Sequence, residues 1–275
     1  MTTRSVRALA ASVAHDVARA RRRRELARAP EARSDPEGYL EVVRRTLTLG
    51  AFPSPQDSTP SPGAIIGWDA EARMKLMGDL ACDVIKRGVE GDFVEAGVYR
   101  GGMSLFLTAM LHALDEPNRQ VWAVDSFSGC PQPDEIGDSR FANGPTWLDD
   151  ARWGGRYACS LKQVRAHFAE FGLLNSGHIE FVVGLFHETL PDLPVDKIAL
   201  LHVDADMYSS TAEAFEHLYP KLTDGGYVVC DDYGLPEARH AVQASRARLG
   251  IKGPIHIAAT RWPIAYWRRE IRQGR

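Results

Sequence analysis

The stretch IALLHVDADMYSSTAEAFEHLYPKLTDGGYVVCDDYG, residues 198–234, decides how the rest of the chain is read. It opens with an apolar run, Ile198-Ala199-Leu200-Leu201, of the kind that forms a strand buried on both faces. That run leads straight to Asp204 and Asp206. Ala212, Phe215, Leu218 and Tyr219 then fall at helical spacing, with Ser209, Ser210 and Thr211 placed to cap the helix start. Gly225-Gly226 is expected to stop that helix. Tyr227 to Cys230 then forms a second strand, which ends in Asp231-Asp232. Two strands joined by one crossover helix thus each deliver acidic residues. In a parallel α/β sheet the carboxyl ends of the strands open at one edge, where ligands bind. Three or four carboxylates converging there repel one another unless a cation neutralises them. The stretch predicts a divalent-cation site at the mouth of an α/β sheet.

The preceding segments supply the rest of such a sheet. Ala72, Leu76, Leu80 and Val84 give a helix over Asp69 to Gly88. In GDFVEAGVYRGG, residues 91–102, Phe93-Val94 reads as a short strand ending at Glu95, and Gly97, Gly101 and Gly102 make a tight turn into the helix Met103 to Leu114. Glycines there let backbone N–H groups approach a ligand closely. The spacing is not GxGxxG, and an acidic residue before the turn suits a ligand carrying an ammonium rather than a pyrophosphate. Val121 to Val124 is the next strand, and Asp125 at its end is a usual partner of a ribose diol. Ser126 to Cys159 is long, irregular and aromatic (Phe127, Phe141, Trp147, Trp153, Tyr157), and is expected to frame an acceptor pocket. A helix over Leu161 to Leu173, a strand over Ile179 to Val183 and a short helix ending near Leu190-Pro191 follow. In the tail, Ile255 to Ala259 and Ile264 to Trp267 read as an antiparallel pair closing the sheet edge.

The chain's 275 residues suffice for one generous domain, and 44% hydrophobic with 25% charged residues is ordinary for a globular enzyme. A formal net charge of −3 speaks against nucleic-acid binding. No apolar run reaches the length of a membrane span. Cys82, Cys130, Cys159 and Cys230 show no CxxC pairing and read as reduced thiols of a cytoplasmic protein. Residues 1–33 are rich in Ala and Arg, with Leu9, Val13, Val17 and Ala20 on one helical stripe, and read as a solvated helix or an oligomer contact. Asp35-Pro36 to Leu49 is a further helix, and Pro53 to Gly63 a linker. One domain with a helical N-terminal extension is expected.

Five blocks in order (EAGVYRGG from Glu95, VWAVDSFSGCPQPD, HVDADMYSST, YPKLTDGGYVVCDDYG and the closing YWRR) resemble the macrocin O-methyltransferase family over about Gly67 to Arg269. The resemblance implies a class I methyltransferase (Rossmann-like) fold, a seven-stranded sheet parallel but for one strand with helices on both faces. It divides the chain into a helical, Pro/Ser-rich extension over residues 1–66 and a methyltransferase domain over residues 67–275. It implies methyl transfer from S-adenosyl-L-methionine to a sugar hydroxyl of a natural product or nucleotide-sugar in antibiotic biosynthesis, with magnesium, and a chain that self-associates. Asp204, Asp231 and Asp232 match the family's magnesium ligands, and Asp206 its general base. Glu95, Ala96, Gly97, Val98, Tyr99 and Gly101 match the methionine-binding turn, with Ser104 just inside the following helix. Asp125, Ser126, Phe127 and Gly129 match the ribose and adenine segment, Ser160 a further cofactor contact, and Gly184 and Phe186 the adenine enclosure.

The chain departs from the family at His202 and Ala205, where members commonly carry Arg and Gly, and at Gly67-Trp68-Asp69 in place of a Thr-Met-Ile-like segment. His202, in register with Asp204, reads as a neutral core histidine, and His187 and His240 as surface residues. Tyr208 either caps the acceptor pocket or packs. Three other functions remain open to the residues: a metal-dependent methyltransferase of phenols or catechols, a nucleotide-dependent oxidoreductase, and a noncatalytic binding protein on the same scaffold.

Overall fold

The computed structural model describes residues 16–48, 65–66, 69–132 and 155–270. Leu9, Val13, the segment Pro53 to Gly63, and the aromatics Phe141, Trp147 and Trp153 lie outside them. The elements in chain order are α1 (16–26), α2 (Pro36–Leu47), α3 (Ala70–Lys86), β1 (Asp92–Ala96), α4 (Gly102–Ala113), β2 (Val121–Asp125), α5 (Leu161–Glu170), β3 (Ile179–Val183), α6 (Phe186–Thr189), β4 (Ile198–Val203), α7 (Tyr208–Leu218), β5 (Leu222–Cys230), α8 (Pro236–Arg248), β6 (His256–Ile257) and β7 (Ala265–Arg268). They build a seven-stranded sheet of order β3-β2-β1-β4-β5-β7-β6. Only β7 runs against the others, paired antiparallel to both β5 and β6. No helix among the described residues is long and apolar enough to cross a membrane.

The apolar run at the centre forms as its composition requires. Every residue of β4 is buried, because β1 and β5 flank it in parallel and helices cover both faces. On one face lie α2, α3 and α4; Val43, Met74, Met77 and Phe106 share a buried cluster with Phe93 and Leu200. Helix α4 is apolar almost all round, and every residue of it is buried except His112, which is half-buried. On the other face Phe215 of α7 stacks on both Tyr219 and Trp267, with ring centroids 6.0 and 5.9 Å away. Helix α2 starts where Asp35 accepts a hydrogen bond from Gly38 N at 3.0 Å, with Pro36 in its first turn and Arg44 and Arg45 in its last.

Two local expectations are corrected. Helix α7 is not stopped by Gly225-Gly226. It ends at Leu218, and Tyr219–Lys221 continues as a short 3₁₀ turn, since Pro220 has no N–H to carry the α ladder on. The glycines instead lie inside β5, where the pairing jumps from Ile198↔Leu222 to Leu200↔Tyr227. A Cβ on Gly226 would sit 2.8 Å from the Ala199 carbonyl oxygen, so the bulge needs glycine there. Ser209, Ser210 and Thr211 do not cap α7 either. Met207 is the N-cap without a side-chain bond, and the three hydroxyl residues fall in the first turn.

Past their last residues the central strands stay hydrogen-bonded. Gly97 N donates to Val124 O at 3.0 Å, Asp204 N to Ala96 O at 2.9 Å, and Asp231 N to Val203 O at 2.9 Å. Strand order reverses between β1 and β4, so these bonds hold the glycine turn and both acidic strand ends side by side at the switch point.

Two stability predictions follow from this arrangement. Phe215→Ala opens a cavity in the α7 face and lowers the unfolding free energy by about 3–5 kcal/mol, read from denaturant midpoints. Gly97→Ala puts a Cβ 1.7 Å from the Asp204 carbonyl oxygen at a backbone φ of +94°. That change forces β1 and β4 apart at the switch point and costs at least about 1–3 kcal/mol in the same measurement.

Candidate active site

The acidic corner is built from three adjacent strand ends. Asp204 follows β4, Asp231 and Asp232 follow β5, and Glu95 lies in β1. Asp206 holds a left-handed backbone, φ 56°, and its N–H donates to Asp232 Oδ2 at 2.8 Å. Such a conformation in a non-glycine residue is held by its surroundings and is common at functional sites.

Among the described residues Arg73 and His202 pair with Asp204, Asp231 and Glu95, and the charge of Arg156 acts on Asp206. Arg73 of α3 donates from Nε to Asp231 Oδ1 at 3.0 Å, and its Nη2 lies 2.6 Å from Asp231 Oδ2 and 2.9 Å from Asp204 Oδ2. His202 is fully buried in β4. Its Nδ1 lies 3.1 Å from Glu95 Oε1, and its Nε2 3.6 Å from Asp231 Oδ1, an ion-pair distance too long for a hydrogen bond. Burial works to lower the His202 pKa, but Asp231 and Glu95 on either side outweigh it and raise the imidazole to about 10. The expectation of a neutral core histidine is therefore corrected: between two carboxylates the ring carries a charge. Glu95 also accepts a very short bond from Ser104 Oγ of α4.

These partners divide the aspartates. Burial alone would raise Asp231, yet Arg73 and His202 hold it below the usual carboxylate range. Asp204, Asp206 and Asp232 are all raised, by burial first and then by neighbouring carboxylates: Asp231 for Asp204, Asp204 for Asp206, and Asp206 for Asp232. A proton or a cation therefore binds readily at these three. Donor atoms of His202, Asp204 and Asp231 come within 4.8 Å of one another. The protonated His202 has no free lone pair, so the donors this group offers a cation are the carboxylates of Asp204 and Asp231, and oxygen donors open to the cavity suit magnesium or a similar hard cation.

The acidic corner opens onto a cavity of about 800 Å³, ample for a cofactor and a small acceptor together. Of the residues singled out from the sequence, Gly97, Val98, Tyr99, Asp125, Ser126, Gly129, Gly184, Phe186 and the four aspartates line it. Glu95, Ala96, Gly101, Ser104 and Phe127 lie behind that wall and are buried or form the turn. Ser160 is exposed, and closes a capping box with Gln163 at the start of α5. Asp125 works chiefly on backbone. Its Oδ2 accepts from Val98 N at 2.7 Å and Tyr99 N at 3.1 Å, and its Oδ1 from Phe127 N at 2.7 Å. One carboxylate thus fixes the glycine turn and the next loop together.

Several cavity residues carried little sequence signal. Arg73 and Asp69 sit on or before α3, which was legible only by its apolar stripe. Cys130, Arg156 and Tyr157 come from the described ends of the long aromatic loop, so those ends do frame the cavity. Cys130 Sγ lies 3.9 Å from Asp206 Oδ2, and burial, aided by that carboxylate, pushes its thiol pKa up, so it stays protonated. Trp262 packs against Gly234, where a Cβ would meet the indole at 2.4 Å, and the adjacent Arg261 N–H donates to Asp69 at 2.6 Å. His187 is exposed but borders the cavity; Tyr208 does not border it, and stacks edge-on against His240.

Comparison with known proteins agrees with this geometry. The model of the family described as macrocin-O-methyltransferase (TylF) matches residues 54–269. The 8-demethyl-8-(2,3-dimethoxy-alpha-L-rhamnosyl)-tetracenomycin-C 4'-O-methyltransferase of Streptomyces olivaceus is 43% identical over 173 residues, which span 62% of this chain and 64% of that relative. The demethyldecarbamoylnovobiocin O-methyltransferase of Streptomyces niveus is 34% identical over 262 residues, covering 88% of this chain and 97% of its own length. The solved structure of the O-methyltransferase NovP superposes with a TM-score of 0.73 at 32% identity, over 85% of this chain and 98% of that one. With the class I methyltransferase sheet and most of its length matched, the chain belongs to the macrocin O-methyltransferase family.

Proposed function

We propose that this O-methyltransferase moves a methyl group from S-adenosyl-L-methionine to a sugar hydroxyl of a glycosylated natural product, with magnesium at the acidic corner and Asp206 as general base. The observation that carries the reading is the opening of four aspartates and a glycine turn onto one cavity. The relatives' names support the acceptor class, since one of them methylates a rhamnosyl group.

In this reading Asp204, Asp231 and Asp232 hold the cation. When bound, magnesium polarises the acceptor hydroxyl and lowers its pKa. Asp206 takes the hydroxyl proton; its raised pKa, from burial and from Asp204's charge, suits a carboxylate for that task. The acceptor oxygen forms its bond to the methyl carbon as the carbon–sulfur bond breaks, and neutral S-adenosylhomocysteine leaves. Because the donor is already activated, the chain contributes mainly by positioning the two reactants. The turn Gly97 to Gly101 cradles the methionine part, Ser126 to Gly129 the ribose and adenine, and Gly184 with Phe186 encloses the base. Glu95, Ser104 and Phe127 act from behind, and Ser160 by fixing α5. Tyr157, Trp262 and Ser209 supply the mix of aromatic faces and hydroxyls that sugars bind.

The same geometry speaks against a dinucleotide. The Val98 and Tyr99 N–H groups, which a pyrophosphate would need, already donate to Asp125.

The full chain, given S-adenosylmethionine, magnesium and a rhamnosylated aromatic polyketide, is expected to yield a product methylated on the sugar, read by mass spectrometry with the aglycone and a catechol as controls. Methylation of the catechol with none of any glycoside would overturn the acceptor class. Asp206→Asn is expected to reduce turnover about 100- to 10,000-fold while S-adenosylhomocysteine still binds. Unchanged turnover would remove Asp206 from the mechanism.

A further inference from the structure

Arg73 occupies an unusual position for a helix arginine. It is in the first turns of α3, its side chain is 19% exposed, and it reaches carboxylates 131 and 158 residues away. Its guanidinium takes both oxygens of Asp231 in a fork, and Nη2 also bridges to Asp204 Oδ2. One nitrogen thus links the two strand ends whose aspartates a divalent cation would share. Charge balance explains the need for it. Glu95, Asp204, Asp206, Asp231 and Asp232 crowd one corner, where Arg73 pairs with Asp204 and Asp231, and His202 with Glu95 and, at longer range, Asp231. A divalent cation bridging Asp204 and Asp231 competes for the same oxygens and repels the guanidinium.

We propose that Arg73 is the site's built-in counter-cation: it bridges Asp204 to Asp231 before a divalent cation binds, and releases Asp204 when one does. The two bonds differ in the way this exchange requires. Arg73 holds Asp231 by two atoms and Asp204 by one, and the Asp204 side chain is 30% exposed against 11% for Asp231. The single, more open contact is the one that yields, and the fork on Asp231 keeps Arg73 at the rim. Arg73 therefore opposes cation binding while it ties the two strand ends together. The inference rests on the reading of these aspartates as a cation site, and makes a separate prediction about it.

The test is direct binding of Mn²⁺ to the full chain and to Arg73→Met, by calorimetry and by loss of the free-Mn²⁺ paramagnetic resonance signal, with no methyl donor present. Arg73→Met is expected to bind Mn²⁺ about tenfold more tightly, a coupling within the range usual between linked sites. In EDTA the variant is expected to melt below the wild type and to recover more of the difference when Mn²⁺ is added. Arg73→Lys, which keeps the charge but loses the fork, is expected to fall between the two. Equal or weaker binding by Arg73→Met would overturn the inference alone, since wild-type binding would still support the cation site. Absence of binding by every protein would overturn both. Should Arg73→Met fail to fold, the wild type decides: the Arg73 Nη2–H resonance, which reports the contact to Asp204, is expected to shift and exchange faster with water on saturation with Mg²⁺, while the Nε–H bonded to Asp231 stays protected. An unmoved resonance at proven saturation would overturn the proposal.

Discussion

The repulsion among carboxyl groups at one sheet edge is the constraint on which the rest of this structure depends. Glu95, Asp204, Asp206, Asp231 and Asp232 are brought together because β1, β4 and β5 are parallel neighbours, and a parallel sheet sends all its carboxyl ends the same way. Like charges that close cost several kcal/mol in a partly dry pocket unless cations or protons intervene. The chain meets that cost in two ways. Arg73 and His202 pair with Asp231 and Glu95, and Arg73 reaches Asp204 by a single contact, whereas Asp204, Asp206 and Asp232 keep raised pKa values and open to the cavity. The half that is satisfied makes a rigid frame, and the half that is not becomes the reactive side.

A second device couples that corner to the rest of the cavity. Asp125 gathers N–H groups from the glycine turn and from the loop after β2, so the two walls on that side cannot move independently. The turn itself is pressed against β4, with Gly97 in contact with the Asp204 carbonyl. A shift in either the turn or the acidic strand end is thereby felt by the other. For a reaction whose catalysis is largely the alignment of two bound molecules, this stiffness is what the fold contributes.

Much of this was legible in the sequence because it depends on local pattern. The apolar run Ile198 to Leu201 reads as a buried strand, which the structure extends to Val203, and acids stand at or just past the ends of both strands, so their convergence needed only the parallel crossover rule. What escaped has a common cause. Arg73 lies beside an apolar stripe on a helix, and its carboxylate partners are more than a hundred residues distant, so nothing local marks it. His202 looked like any histidine in a buried strand, since its charge comes from Glu95 on a neighbouring strand and Asp231 beyond another. The place of Gly225-Gly226 was misjudged because a glycine pair reads alike as a helix stop and as a strand bulge. Pro220, five residues earlier, had already ended the helix.

The proposed mechanism requires Asp204, Asp231 and Asp232 to hold a divalent cation while Asp206 stays free to take a proton. The most direct measurement is a crystal structure of the protein with Mn²⁺ and S-adenosylhomocysteine, collected for anomalous scattering. A manganese peak is expected within coordination distance of carboxylate oxygens from those three aspartates, with none shared by Asp206. A well-ordered site with no anomalous peak there, at manganese concentrations that support turnover, would contradict it.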